Sequence, residues 1–132
     1  VARHKFLNPN GIQLYAQYKK RSKRKGITFD ITKEEFLTIT QKCCYICNAP
    51  PSQKYVHSYK SASLARTPFM YNGLDRVDNK LGYQMGNVMA CCGTCNHAKK
   101  AQSLNKFLQY IRRCYKVAIE PYLKGEPPDA ET

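Results

Sequence analysis

Residues 74–100 read Leu74-Asp-Arg-Val-Asp-Asn-Lys-Leu-Gly-Tyr-Gln-Met-Gly-Asn-Val-Met-Ala-Cys-Cys-Gly-Thr-Cys-Asn-His-Ala-Lys-Lys100, and this stretch decides the fold. Phe69 to Val77 reads as a strand, Asp78 to Tyr83 as a turn, and Met85 to Cys91 as the returning strand. Asp78, Asn79 and Gly82 supply turn chemistry between two runs of strand-forming residues. A helix follows, starting around Thr94 and Cys95. Together these predict a β-hairpin leading into a helix, with two carboxylates, a pair of thiols at metal spacing and an asparagine directly behind the second of that pair in one short segment.

The thiols Cys92 and Cys95 are two residues apart, and Cys44 and Cys47 repeat that spacing further upstream. Two intervening residues let both sulfurs of a pair face one tetrahedral ion. Two such pairs predict a four-cysteine zinc site with no open coordination position, so a structural one. The 44-residue interval between Cys47 and Cys92 is long for a bare ribbon and must carry structure of its own, which the hairpin supplies. Cys43 offers a competing register, but only Cys44 gives the two-residue spacer. Cys43, Cys91 and Cys114 are then expected to be buried apolar thiols. Seven cysteines, an odd number with four in metal-type pairs, point to metal in a reducing compartment rather than to secreted disulfides. The expected setting is therefore intracellular. No apolar run approaches the length of a transmembrane helix, and no signal peptide is visible.

Of the 132 residues, 22 are Lys or Arg and 9 are Asp or Glu, for a net charge of +13. One zinc held by four thiolates would leave the chain strongly basic. Such a field attracts polyanions, nucleic acid first. The densest run is Lys19-Lys20-Arg21-Ser22-Lys23-Arg24-Lys25, at the end of an amphipathic helix expected over about 11–25 and closed by Gly26. Lys19, Lys20, Arg21, Lys23, Arg24 and Lys25 are the expected phosphate contacts, with Lys99 and Lys100 behind the second thiol pair.

The rest of the chain reads as support. Thr32-Lys33-Glu34-Glu35 matches a capping box, opening a helix that buries Phe36, Leu37 and Ile39 and ends near Gln41. Residues 48–69 read as a loop with alternating basic and aromatic residues. Ser103 is a candidate N-cap, and Leu104, Phe107, Leu108, Ile111 and Tyr115 form one apolar stripe expected to be core. Pro121 is expected to stop regular structure. The division that results is one domain over 1–124: a basic helical arm at 1–41, a zinc and hairpin core at 42–102, and a C-terminal helix at 103–120. A disordered tail at 125–132 follows. The fold class is α+β.

Asp75 on the first hairpin strand and Asn96 directly behind the last thiol could share a hard divalent cation, Mg2+ or Mn2+, through oxygen atoms. With one protein charge, such an ion stays free to bind a phosphate oxygen and stabilise charge on it.

The pattern Gly-Leu-Asp75-Arg76-Val-Asp78-Asn, Gly82-Tyr83, Asn87-Val and Cys92-x2-Cys95-Asn96-x2-Lys99 resembles the HNH endonucleases in their four-cysteine, zinc-binding form. The resemblance covers Cys44 to about Lys100. It implies a ββα-metal core, DNA as partner with RNA left open, and metal-dependent hydrolysis of phosphodiesters. It also implies Asp75 and Asn96 as ligands of the catalytic ion and Asn87 as the residue that orients the hairpin loop. Lys99 becomes a phosphate contact. By analogy, short basic members of this kind are common in phages, which would put the chain in a bacterial cytoplasm.

The sequence departs from the family at Arg76, where the general base, a histidine, is expected. Arginine stays protonated and cannot accept a proton from water, although it can stabilise charge on a transition state. His57, His97 and Tyr83 remain as alternatives for the base. The leading expectation is an HNH-type DNA endonuclease. The alternative is a zinc-stapled nucleic-acid-binding protein with a lapsed active site. A membrane-surface basic protein is a third reading and is not favoured. A homodimer would let one small site act on both strands.

Overall fold

The computed structural model describes residues 8–57 and 67–126. Helix α1 spans Pro9–Arg24. The Asn8 side chain accepts from the Asn10 and Gly11 amides, and Pro9 occupies the first turn, where its missing N–H costs nothing. The helix closes at Lys25, after which Gly26 takes a positive φ of 70°. Strand β1 (Phe29–Asp30) leads to helix α2 (Lys33–Ile39). The capping box forms as the sequence predicts: the Glu35 amide donates to Thr32 Oγ1, and the Thr32 amide donates to Glu35 Oε1, both at 3.1 Å.

The expected strand over 69–77 is split. Strand β3 (Phe69–Tyr71) pairs antiparallel with β2 (Gln53–Tyr55), inside the segment read from sequence as a loop. Strand β4 (Gly73–Arg76) pairs antiparallel with β6 (Val88–Cys91), Asp75 facing Met89. Asn72 sits at the break. It is fully buried, and its amide nitrogen donates to Lys42 O and Ala49 O, so it serves the cysteine loop instead of a ladder. The returning strand begins at Val88 instead of Met85, because residues 84–87 turn back with the Asn87 amide donating to Gln84 O, and the expected turn over Asp78–Tyr83 ends in a strand, Tyr83–Gln84 (β5), that pairs in parallel with β1. Three two-stranded ladders result, a mixed α and β architecture.

The main core gathers Leu14 of α1, Ile31, Phe36, Leu37 and Ile39 around α2, Phe69 of β3, and Leu74, Val88 and Ala90 of the hairpin. Because strand side chains alternate, Leu74, Val88 and Ala90 face this core and Asp75 and Cys91 face away from it. A second, smaller cluster of Cys44, Cys91 and Cys92, with Tyr45, Ile46, Ala49 and Cys95 packed on it, lies on that other side. Helix α3 (Gly93–Lys99) starts directly from β6 and packs on β4.

Helix α4 (Leu104–Cys114) is capped by Ser103, whose Oγ accepts from the Lys106 amide at 3.2 Å. Its apolar stripe corrects the expectation of a core face. Phe107 is 5% exposed, but Leu108, Ile111 and Tyr115 are 45%, 37% and 45% exposed. Pro121 does not stop regular structure either. A π-helical turn (Tyr115–Ile119) continues into α5 (Glu120–Leu123), where Pro121 sits in the first turn and needs no N–H. The first seven residues, Tyr59, Lys60 and Arg66 of the expected basic loop, and the tail from 127 lie outside the described residues.

Candidate metal centre and adjoining cleft

The Sγ atoms of Cys44, Cys47, Cys92 and Cys95 all lie within 4.8 Å of one another. Tetrahedral zinc–thiolate bonds of about 2.3 Å require sulfurs about 3.8 Å apart. Cys47 and Cys92 are 3.6 Å apart, so the cluster is compatible with a structural zinc. The backbone sets this up locally. The Cys44 amide donates to Ala49 O and the Asn48 amide to Cys44 O, each at 2.8 Å, with Asn48 in the left-handed region at φ 64°. Tyr45 N donates to Ala90 O at 2.9 Å, tying the knuckle to the hairpin. On the other side Cys92 caps α3 and accepts from the Cys95 amide.

The electrostatics of the sulfurs point the same way. Burial pushes the Cys44 thiol up, but the amides of Cys47, Cys92 and Ile46 outweigh it and bring the thiol down to about 6. Cys92 and Cys95 are pushed up, first by burial and then, despite the opposing Cys95 amide at Cys92, by the crowding of neighbouring sulfurs. The cluster favours one thiolate and resists several, a repulsion that a dication bound between them removes. Of the three spare thiols, Cys91 is fully buried as expected, whereas Cys43 is exposed and Cys114 half-buried.

Beside the cluster lies a cleft of about 190 Å³ lined by Asp75, Arg76, Tyr83, Asn96 and Lys100, among others. It brings Asp75 and Asn96 to one cavity, one from β4 and one from α3. Asp75 is 5% exposed and strongly engaged. Lys99 Nζ lies 3.1 Å from Oδ2 and 3.3 Å from Oδ1, and the Tyr45 hydroxyl donates to Oδ2 at 2.5 Å. That hydroxyl is pushed up, first by burial and then by its bond to the carboxylate. An ionised carboxylate offers about four acceptor positions, and these three contacts leave one, on Oδ1. The donor set therefore suits a hard cation held by one Asp75 oxygen and the Asn96 carbonyl, and no more than that from these two residues.

Lys99 is a correction to the sequence reading. Its side chain is fully buried against Asp75 and does not reach the surface as a phosphate contact. Lys100 is exposed and lines the cleft. Arg76 is held by the hairpin turn: Nη1 donates to Asn79 O at 3.1 Å and Leu81 O at 2.9 Å, with the guanidinium over the Tyr83 ring at 5.4 Å. Asn87 accepts from the Asp78 amide and donates to Asp78 O and Gly82 O, closing the turn across its mouth. Asp78 Oδ1 accepts from the Lys80 amide, a turn-forming contact.

Among the alternatives for a base, Tyr83 lines the cleft, His97 is exposed on the last turn of α3, and the His57 amide donates to Asn10 Oδ1 in another part of the fold. Lys19, Lys20, Arg21, Lys23, Arg24 and Lys25 are all exposed. A second cleft, of about 210 Å³, lies just past them, lined by residues 26–28 together with Arg76, Asn79 and Lys80. Arg76 thus borders both clefts. Sequence reading missed Tyr45 and Asn72, and no spacing rule marks either one.

No family model matches the chain. It is 32% identical over 105 residues to the uncharacterized protein R423 of Acanthamoeba polyphaga mimivirus, a match that takes in 80% of this chain and only 16% of that much longer protein. In overall shape it is similar to the solved structure of the rare-cutting HNH restriction endonuclease PacI, with a TM-score of 0.56, 19% identity, and 84% of this chain aligned to 80% of that one. At that identity the likeness is one of fold.

Proposed function

We propose that the chain is an HNH-type, metal-dependent endonuclease with a ββα-metal core that hydrolyses phosphodiester bonds in DNA. The observation that carries this reading is the cleft in which Asp75, Arg76 and Asn96 meet, next to a four-cysteine cluster, in a chain whose fold is similar to that of an HNH restriction endonuclease. A divalent ion bound there would supply Lewis acidity to a phosphate oxygen. The chain's own residues would do the rest. Asp75 and Asn96 would hold the ion, through Oδ1 and the amide carbonyl. Arg76, fixed by two carbonyls, keeps a permanent positive charge at the wall and stabilises the developing negative charge on phosphorus-bound oxygens. Asn87 keeps the turn that carries Arg76 in one shape. The exposed cations from Lys19 to Lys25, with Lys80 and Lys100, hold the flanking phosphates by charge.

The second reading, a zinc-stapled nucleic-acid binder without hydrolytic activity, is favoured by two observations. Arg76 cannot serve as a base, and Asp75 already has a counter-ion in Lys99. Supercoiled plasmid separates the two readings. The nuclease nicks it with Mg2+ or Mn2+, stops in EDTA, and loses at least about a hundredfold in rate in Asp75→Ala. Retarded migration of the plasmid with no nicking under any metal establishes the binder instead.

A further inference from the structure

Two side chains bonded to Asp75 have no part in the proposed hydrolysis: a lysine with no exposed surface, and a tyrosine that sits between two zinc-type cysteines. Both end on Asp75. Lys99 comes from the last turn of α3 and straddles the two carboxylate oxygens; Tyr45 comes from the Cys44–Cys47 knuckle and takes Oδ2. A lysine ammonium is costly to bury without a partner. Here it meets a carboxylate with 5% exposure, and a phenol completes the same carboxylate's Oδ2.

We infer that Lys99 and Tyr45 form a buried clamp that offers a single oxygen of Asp75, Oδ1, to the cleft and keeps the cleft's affinity for divalent cations low. The ammonium neutralises the charge that would otherwise draw a cation in, and its repulsion acts on any ion that arrives. The phenol blocks the Oδ2 acceptor position, so a cation cannot take the carboxylate in bidentate fashion. Lys99 and Tyr45 are positioning residues: they act on the ion through Asp75. Because Tyr45 lies between Cys44 and Cys47 and its amide is bonded to Ala90 O, the order imposed by the cysteine cluster passes directly to the carboxylate. The inference rests on reading Asp75 as the cleft's cation ligand, and it does not require that DNA be cut.

The test is Mn2+ titration of the zinc-loaded full chain, followed by calorimetry and by the paramagnetic signal of bound Mn2+, with zinc content measured in every sample. Lys99→Met is expected to bind Mn2+ roughly tenfold or more tightly than the unaltered chain, and to gain a larger rise in melting temperature when Mn2+ is added. Adding Asp75→Asn to that variant should abolish the gain. A folded, zinc-replete Lys99→Met that binds Mn2+ no better than the unaltered chain overturns the inference. Should Lys99→Met fail to fold with and without Mn2+, Tyr45→Phe decides. Freeing the Oδ2 position should tighten Mn2+ binding several-fold at unchanged zinc content, and equal or weaker binding overturns the clamp. Plasmid nicking on the same samples judges the nuclease reading separately. Tighter Mn2+ binding with no nicking keeps the clamp and removes the nuclease.

Discussion

Asp75 shows how much a single side chain can carry. It is buried, charged and shared between three elements, and its partners were hidden in the sequence in different ways. Lys99 reads from sequence as a phosphate contact behind the second thiol pair, and Tyr45 as a spacer between thiols. Removing one member of a buried ion pair leaves the other uncompensated, at a cost of about 3–5 kcal/mol. Lys99→Met should therefore destabilise the fold by about that much in urea titrations, whereas the double variant Lys99→Met/Asp75→Asn should cost clearly less than the two single changes added together. Strict additivity would mean that the pair contributes nothing. Residue spacing did bring out Asp75 and Asn96 as neighbours, and the two line one cleft because the helix starts at once from the hairpin. It could not disclose the Lys99–Asp75 contact, since a lysine's burial depends on what packs over it.

At the level of elements, local rules held at helix starts and failed at Pro121, where a π-helical turn carries the helix onward. Thr32 and Glu35 start α2 and Ser103 starts α4, each through contacts inside one turn, whereas α1 starts at Pro9, two residues before the expected point. The parallel pairing of β1 with β5 escaped, because it joins segments more than fifty residues apart that have only two residues each. That pairing has a steric signature at Gly82. A Cβ there would meet Thr28 O at 2.5 Å, and Thr28 O is the acceptor for the Tyr83 amide. Gly82→Ala should push the hairpin turn off β1 and destabilise the protein by about 1–3 kcal/mol, read as a lower urea midpoint. An unchanged midpoint would show that β1 and β5 do not associate in solution. The exposed stripe of α4 has a related cause: amphipathic spacing reports a face that favours burial, and only the arrangement of the other elements decides whether anything covers it.

On the scale of the molecule, two separate apolar clusters among the described residues divide the work, one around α2 and one around the cysteines. Stripping zinc with a chelator should lower the melting temperature and open amide exchange first in residues 42–49 and 91–99, while withdrawal of Mg2+ alone leaves both regions protected. Equal protection before and after verified zinc loss would count against a structural ion. The other cluster contributes to the alkaline behaviour through Tyr18. Burial pushes the Tyr18 hydroxyl up to about 12 from an ordinary 10, against a lowering contact from the Leu74 backbone. The folded state holds this proton where the unfolded chain has already released it. The Tyr18 contribution is therefore complete below pH 10 and is lost as the pH rises toward 12. Tyr18→Phe should flatten the fall in stability over that window in urea melts, and a slope identical to that of the unaltered chain would exclude Tyr18 as its source.

What the sequence determined by itself was whatever short-range chemistry dictates: the helix caps at Thr32 and Ser103, the thiol spacing and the overall charge. These depend on atoms a few bonds or one helical turn apart, and the same residues in the same order produce them almost regardless of context. The tertiary structure alone decided which face of each element is covered. It therefore decided that Lys99 is a buried counter-ion, that Tyr45 spans from knuckle to carboxylate, that Asn72 breaks a strand to hold a loop, and that the α4 stripe stays open. Burial and long-range pairing are properties of the packed chain, because desolvation of a charge or an apolar face is set by every neighbour at once.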